Sequence, residues 1–189
     1  MTEKAALRSN YLAKRKKLNQ NEIDDFSKTI ADRFRHYFSS HPAKNVHVFL
    51  PIKKHNEVNT WPILDFLKAQ NIDIIVSKSD FSDNSMTHIR YVSETEVKSN
   101  GWGIPEPSDG QVISTNEIEM VLVPLVIFDQ RGYRIGYGKG FYDKFLSECQ
   151  STVIKVGLSI FEPVEMIDRD DHDVRLDLCI TPTMVHTFQ

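Results

Sequence analysis

Short apolar runs alternate with amphipathic segments along this chain, and that alternation constrains its fold more than any other feature. The runs have the length and composition of buried strands, and the first ends at Pro51. They lie at residues 46–50, 72–76, 86–92, 120–124, 153–158 and 178–180. Because helical segments separate many of these strands, the sequence predicts parallel pairing through crossover connections.

Helix signals fill the intervals between the strands. We predict a first helix from about Thr2 to Lys17 and a second helix capped by Asn21. The second has apolar residues on one face, at positions 23, 26, 30, 34 and 38. The remaining signals are Thr60 with Pro62, a capping-box pattern at 93–96 before a short helix, and a segment through Phe145 and Leu146.

Together these elements predict a three-layer α/β sandwich with a mostly parallel central sheet. The 189 residues suffice for one domain with a sizeable core, so we predict a single domain over residues 1–189. In open sheets of this kind, ligands bind beyond the carboxyl ends of the strands. The loops after Leu50 and Val123 are therefore where a site is expected.

Composition argues against several classes of protein. Lys plus Arg is 23 and Asp plus Glu is 26, and the net charge of −3 disfavours a nucleic-acid-binding module. Cys149 and Cys179 are the only cysteines, too few for a disulfide framework or a four-thiolate zinc site. No apolar run approaches the roughly 18 residues that cross a bilayer. The first residues lack the apolar stretch of a secretory signal, so we expect a cytoplasmic protein.

Charge is distributed unevenly between the two ends of the chain. Residues 1–17 carry six basic side chains against Glu3 alone, and residues 162–177 carry seven acidic side chains against two arginines. Such clusters are usually solvated surface, but the basic end could also reach an anion and the acidic end a cation. Lys4 and Arg8 are four residues apart and share a helix face. The consecutive cations at 14–17 spread around the helix, so we predict that they are solvated.

The segment 128–143 is the most informative part of the sequence. Gly136, Gly138 and Gly140 alternate, which lets the backbone approach a ligand and direct several N–H groups at one anion. Arg134 and Lys139 add positive charge, and the helix predicted just afterwards offers its positive end. The pattern predicts a cradle for nucleotide phosphates. The alternative is a flexible surface loop that uses glycine only for turning.

The spacing matches neither of two common phosphate-binding motifs. A Walker loop requires glycine where this chain has Tyr133 and a hydroxyl residue where it has Gly140. A dinucleotide fingerprint requires glycine or alanine where it has Phe141. Neither a Gly-x-Ser-x-Gly elbow nor a His-Glu-x-x-His helix is present. The loop therefore points to another type of phosphate site.

Residues 134–143 closely resemble the Arg-Leu-Gly-x-Gly-x-Gly-Tyr-Tyr-Asp signature of the 5-formyltetrahydrofolate cyclo-ligases, or methenyltetrahydrofolate synthetases. Each other matching motif is weak alone, but their shared order and spacing is specific. They lie at 4–8 (Lys-x-x-Leu-Arg), 49–50 with 57–60, 104–107 (Ile-Pro-Glu-Pro), 123–124, 128–129 with 132, and 172–173 with 177 and 181. Ile135 and Phe141 stand where the family usually has Leu and Tyr, and Tyr137 fills a variable position. Phe141 removes any hydrogen bond that a phenol would make there.

The resemblance implies an open α/β fold of the sugar-phosphate isomerase and CoA-transferase-like type, and a ring-closing ligase. In that family ATP phosphorylates the formyl oxygen of 5-formyltetrahydrofolate (folinic acid), N10 attacks, and phosphate leaves. The products are 5,10-methenyltetrahydrofolate, ADP and phosphate. Magnesium would bridge phosphate oxygens. The resemblance thus implies ATP, Mg²⁺ and a folate as ligands, and a role in one-carbon metabolism. We expect a monomer.

Individual site residues follow from the resemblance as well. Lys139 and Arg134 are expected to act in catalysis, and Asp143 and Asp173 to hold Mg²⁺. The residues expected to bind ATP are Lys4, Ala5, Ala6, Leu7, Arg8, Arg134, Ile135, Gly136, Tyr137, Gly138, Lys139, Gly140, Phe141 and Tyr142. Those expected to bind the folate are Arg8, Leu50, Glu57, Trp102, Tyr137, Gly138, Lys139, Gly140 and Phe141.

Some of these assignments have plain alternatives. Glu57 could be an exposed loop acid, Trp102 a packing residue, and Tyr142 a core residue of the helix that follows the loop. Two other functions also stay open. One is an enzyme of the same fold group that needs neither ATP nor folate, such as a sugar-phosphate isomerase or a coenzyme A transferase. The other is a folate-binding relative without turnover, against which Lys139 and Asp143 argue.

Overall fold

The structure is a computed structural model and describes residues 3–188. Four α-helices and eleven β-strands follow one another within that range. The helices are α1 (Glu3–Lys16), α2 (Gln20–Ser40), α3 (Trp61–Ala69) and α4 (Phe141–Glu148). The strands are β1 (Asn45–His47), β2 (Asp73–Asp80), β3 (Ser85–Tyr91), β4 (Val97–Ser99), β5 (Pro105–Pro107), β6 (Met120–Pro124), β7 (Ile127–Phe128), β8 (Arg134–Ile135), β9 (Ile154–Leu158), β10 (Leu178–Ile180) and β11 (Val185–Thr187).

Seven strands form the central sheet, in the order β11-β10-β9-β6-β1-β2-β3. The five inner strands, from β10 to β2, run parallel to one another, and β11 and β3 add an antiparallel strand at either edge. A parallel sheet must be covered on both faces, and its central strand β6 is accordingly almost wholly apolar. Met120, Val121, Leu122 and Val123 of β6 are all fully buried. The predicted mostly parallel α/β sandwich is confirmed.

The helices divide between the two faces of the sheet. Ile30 and Phe34 of α2 pack with α3 on one face, in a core that contains the alternate β6 residues Met120 and Leu122. Phe145 of α4 lies in a second core on the other face. Helix α1 lies apart from both, against the small β7–β8 hairpin. The predicted apolar face of α2 is confirmed, with Phe26 only half-buried.

Three local predictions were wrong. Helix α2 is capped by Asn19 rather than Asn21, because the Asn19 side chain and Glu22 complete a reciprocal capping box. Strand β1 ends at His47 and not at Leu50, although the Val48 N–H still donates to the Ile75 carbonyl of β2 at 2.8 Å. Residues 93–96 start no helix, because the Thr95 hydroxyl accepts the Val92 N–H in a turn that leads into β4. Helix α1 was predicted to start at Thr2, which lies outside the described residues.

The loops at the carboxyl ends of β1 and β6 lie side by side, because these strands are parallel neighbours. The second loop carries the β7–β8 hairpin, which sequence patterns did not reveal. Buried Asp129 shapes it by accepting the N–H groups of Arg131, Tyr133 and Ile167. No helix among residues 3–188 is long and apolar enough to cross a membrane.

Candidate active site

A large cavity of about 1080 Å³ opens at the carboxyl ends of β1 and β6. Every residue from Arg134 to Asp143 lines it. The other predicted site residues on its wall are Lys4, Arg8, Leu50, Glu57, Trp102 and Asp173. Ala5, Ala6 and Leu7 do not line it, and Leu7 packs instead against the hairpin core. The structure thus brings together all but three of the predicted residues, and their roles stay predictions.

The glycine-rich loop has a backbone that its glycines make possible. Gly138 and Gly140 have φ angles of +85° and +74°, in the region that side chains disfavour. Gly140 occupies the N-cap position of α4. A Cβ added at Gly138 would lie 3.2 Å from the Arg8 guanidinium carbon. The loop therefore turns into the helix while Arg8 sits directly against its backbone.

Helix α1 supplies two cations to this loop. The Arg8 Nε–H donates to the carbonyl of Gly136 at 2.8 Å, which fixes the guanidinium beside the glycines. The Lys4 ammonium pairs with Asp170 at 2.7 Å and with Asp173. Burial alone would lower the pKa of Lys4, but its hydrogen bonds to these two carboxylates raise it. Lys4 therefore stays charged at the edge of the cavity.

Lys139 and Arg134, the two predicted catalytic cations, differ in their surroundings. Lys139 is exposed between two glycines and makes no hydrogen bond or ion pair with any residue from 3 to 188. The Arg134 side chain is only 4 % exposed, and it donates to the Asp143 carboxylate at 2.8 Å and to the Val174 carbonyl. Lys139 is therefore free to meet a ligand, whereas Arg134 is committed to holding Asp143.

Asp143 and Asp173 lie close to each other, because the N–H of Val174, the residue after Asp173, donates to Asp143 Oδ1. Arg134 donates to that same Asp143 oxygen. Lys4 and the Asp170 N–H both donate to Asp173 Oδ2. Each carboxylate therefore keeps one oxygen without a hydrogen-bond partner among the described residues. No group of three metal-ligating side chains occurs there. Two carboxylate oxygens suit a magnesium ion that takes its other ligands from phosphate and water.

Aromatic rings form another part of the rim of the cavity. The Phe81 ring stacks on Trp102 with centroids 5.3 Å apart, and Phe141 meets Phe81 edge-on at 5.0 Å. Trp102 is 62 % exposed although it is large and apolar. Phe49 and Leu50, buried after β1, continue this apolar wall. The rim offers flat surfaces that could cover a planar ligand.

Glu57 is the buried acid of the cavity, and not an exposed loop acid. Its carboxylate accepts the Ile52 N–H at 2.6 Å and lies within hydrogen-bonding reach of the Tyr137 hydroxyl. Burial raises the pKa of Glu57, while these partners and the charge of Arg15 act to lower it. A buried carboxylate with unused lone pairs can orient N–H donors of a ligand.

Behind the cavity wall, two buried imidazoles share one hydroxyl. Ser77 Oγ lies 2.6 Å from His47 Nε2 and 3.0 Å from His88 Nδ1, and Ser77 itself lines the cavity. The hydroxyl can donate to one ring and accept from the other. Burial lowers the pKa of His88 to about 4, and burial also lowers the pKa of His47 well below its ordinary value. Both rings are therefore neutral in the folded protein near neutral pH.

The free energy of unfolding should fall as the pH drops from about 6.5 toward 4. The unfolded histidines bind protons near pH 6.5 while the folded ones do not, so stability is complete above that pH and is lost below it. One pKa unit corresponds to about 1.36 kcal/mol, so His88 alone should lower the free energy of unfolding by roughly 3 kcal/mol. Urea unfolding at several pH values measures it. His88→Gln should weaken the dependence of the free energy of unfolding on pH, and the exposed His36→Gln should not. The same pH dependence in the wild type and in both variants would contradict the prediction.

Several residues of the site escaped sequence reasoning. Phe81 lies in the β2–β3 turn and Ser77 on β2, and no local pattern distinguishes either from ordinary surface or strand residues. Arg15 was predicted to be solvated, but it is only 3 % exposed. A signal for Arg15 did exist, because positions 4, 8, 11 and 15 follow helical spacing and lie on one face of α1.

Comparison with known proteins agrees with this geometry. Residues 1–182 match the model of the 5-formyltetrahydrofolate cyclo-ligase family. A 5-formyltetrahydrofolate cyclo-ligase of Haemophilus influenzae is 32 % identical over 139 residues, covering 71 % of this chain and 73 % of the relative.

Two solved structures are similar over almost the full length. The NMR structure of 5,10-methenyltetrahydrofolate synthetase from Aquifex aeolicus superposes with a TM-score of 0.85 at 28 % identity, covering 100 % of this chain and 94 % of the other. The Mycoplasma pneumoniae 5,10-methenyltetrahydrofolate synthetase superposes with a TM-score of 0.78 at 28 % identity, covering 96 % and 99 %.

Proposed function

This chain belongs to the 5-formyltetrahydrofolate cyclo-ligase family, and from that premise we propose that it closes the ring of 5-formyltetrahydrofolate at the expense of ATP. The products would be 5,10-methenyltetrahydrofolate, ADP and phosphate. The observation that carries the proposal is the cavity itself, which combines two kinds of wall. One kind is formed by free and backbone-fixed cations, and the other kind by aromatic rings and a buried acid.

The cationic wall suits a triphosphate. Lys139 is unpaired among residues 3–188, and Arg8 is fixed against the glycine-rich loop by its hydrogen bond to Gly136. Phosphoryl transfer depends mainly on positioning and charge neutralisation, and fixed cations supply both without reorganising. We assign the ATP phosphates to this wall. Lys139 would stabilise the charge that develops during transfer.

The acidic cluster beside that wall suits a divalent cation. Asp143 and Asp173 would hold Mg²⁺, which supplies charge neutralisation on the phosphate oxygens when it is bound. Arg134 fixes the Asp143 carboxylate, and Lys4 fixes that of Asp173. The role of Arg134 in this arrangement is to position Asp143 rather than to meet the phosphate directly.

The aromatic wall suits the folate. Trp102 and Phe141 would cover flat parts of the substrate, and Phe141 does so without the hydroxyl of a tyrosine. The Glu57 carboxylate would accept hydrogen bonds from pterin N–H groups, with Leu50 against the ring. With the folate there and ATP on the cationic wall, the formyl oxygen would meet the γ-phosphate in one cavity. Phosphorylation of that oxygen would then let N10 attack and phosphate leave.

The test is the absorbance of 5,10-methenyltetrahydrofolate that develops from 5-formyltetrahydrofolate with ATP and Mg²⁺. We expect turnover that disappears when ATP is omitted or Mg²⁺ is chelated, with one ADP per methenyl product. Product formation without ATP would overturn the phosphorylation route. No product at high enzyme concentration, with folate binding intact, would leave a binding protein without turnover.

Arg8→Ala should raise the apparent KM for ATP by about 10-fold, since it removes a charge that touches phosphate in the proposed site. Replacing Lys16 and Lys17 together should leave that KM within ~2-fold, because exposed charges are screened within about 10 Å. Steady-state ATP titrations of both variants decide the question. Equal effects would mean diffuse attraction only, and the assignment of α1 to the ATP site would be dropped.

A further inference from the structure

Arg15 is the one member of the basic run at 14–17 that is buried. Its Nη1–H donates to the carbonyl of Leu125, at the end of β6, at 3.1 Å, and its Nη2–H donates to the Tyr137 hydroxyl at 2.6 Å. The guanidinium also lies over the Tyr137 ring, 5.6 Å from its centroid. A buried arginine is costly unless its donors are used. Its side chain is therefore directed at one tyrosine of the glycine-rich loop.

The contact continues from Tyr137 to Glu57. Because the Tyr137 oxygen accepts from Arg15, its own proton is left to donate to the Glu57 carboxylate, which lies within reach. Asn56, next to that acid, donates to the carbonyls of Arg15 and Leu18 at 3.0 Å and ties the Glu57 loop to the end of α1. The contacts thus join α1, the glycine-rich loop and the loop after β1.

We propose that Arg15 is a positioning residue for folate binding, which acts through the Tyr137 hydroxyl to fix the Glu57 carboxylate. The proposal rests on the assignment of Glu57 to the folate. It goes beyond that assignment because Arg15 does not line the cavity and Tyr137 fills a position that the family motif leaves variable. Two charged ends with a tyrosine between them make a strong, directional pair of hydrogen bonds.

The groups that face Glu57 come from three elements. They are Arg15 on α1, Tyr137 in the glycine-rich loop and Tyr142 on α4, with the His55 ring stacked on Tyr137 at 5.1 Å. Burial lowers the pKa of His55, and the nearby cations lower it further. Loss of Arg15 removes the positive charge that lowers the pKa of Glu57.

Arg15→Met should raise the KM for 5-formyltetrahydrofolate about 10-fold and leave the KM for ATP within ~2-fold. Tyr137→Phe should do the same, and the double variant should be no worse than the more affected single variant, because both changes break one chain of contacts. Arg15→Lys should recover part of the loss. Lys17→Met removes the same charge from an exposed position and is the matched control, with no expected change.

A second measurement does not depend on turnover. The side-chain ¹³C signal of Glu57, followed through a pH titration, should show a higher pKa in Arg15→Met and in Tyr137→Phe than in the wild type and in Lys17→Met. Tyr137→Phe keeps the ring and tests the idea even where Arg15→Met does not fold. An unchanged Glu57 titration in the folded variants, or additive losses in the double variant, would overturn the proposal. If wild-type turnover is absent but the titration shifts as expected, the proposed function fails while the Arg15–Tyr137–Glu57 connection stands.

Discussion

Lys139→Met is expected to lower kcat at least ~100-fold while the protein stays folded. Lys139 is exposed between Gly138 and Gly140, and no described residue pairs with it. Its loss should therefore leave the melting temperature unchanged, as is usual for an exposed side chain without partners. In the proposed site, its charge meets the transferring phosphoryl group. Losing one electrostatic contact with the transition state costs roughly 10²–10³ in rate.

The matched control is Lys144→Met, which removes the same charge from the same cavity. Lys144 differs because its ammonium donates to the Asp83 carbonyl and pairs with the Asp83 carboxylate. We expect its turnover to stay within ~3-fold of the wild type, since partnered surface charges contribute little. Turnover and thermal unfolding of both variants are the measurements. Near-normal turnover of Lys139→Met would make Lys139 a solvated loop residue.

The elements that sequence patterns predicted well are those whose signal is local. The 3.6-residue repeat of apolar residues located α2, and the apolar run at 120–124 located β6. Boundaries were less secure, because two asparagines precede the apolar face of α2 and only the reciprocal contact of Asn19 with Glu22 decides between them. The capping-box pattern at 93–96 failed since residues 97–99, which follow it directly, pair as a strand with residues 105–107.

Predictions for the candidate site also succeeded where the signal was local and failed where it depended on distant residues. The glycine spacing and its two cations pointed to the cavity wall, because that motif is contiguous in sequence. The different surroundings of Lys139 and Arg134 could not be read from it, since the partners of Arg134 include Val174, which lies 40 residues away. The prediction that Arg15 is solvated was wrong for a related reason. Neighbouring lysines suggested a solvated run, whereas burial was decided by the contact with Tyr137.

Asp143→Asn should raise the Mg²⁺ concentration for half-maximal activity by ~10-fold or more. Asparagine keeps an oxygen that can accept from Arg134 and from the Val174 N–H, so the local packing survives. What is lost is the negative charge of the oxygen that faces the proposed cation. Changing even an outer neighbour of a metal costs roughly 10–100-fold in affinity or activity, so a ligand should cost at least as much. Activity should recover at high Mg²⁺.

Asp173→Asn should shift the Mg²⁺ curve in the same direction but less, because Lys4 already neutralises part of the Asp173 charge. The exposed Asp168→Asn, in the same acidic segment and outside the cavity, should leave the curve unchanged. Steady-state rates across a Mg²⁺ series, with ATP held saturating, separate the possible roles. A lower maximal rate with an unchanged Mg²⁺ midpoint in Asp143→Asn would show that Asp143 serves only as the ion-pair partner of the buried Arg134. The acidic cluster would then be a scaffold for the cations and no metal site.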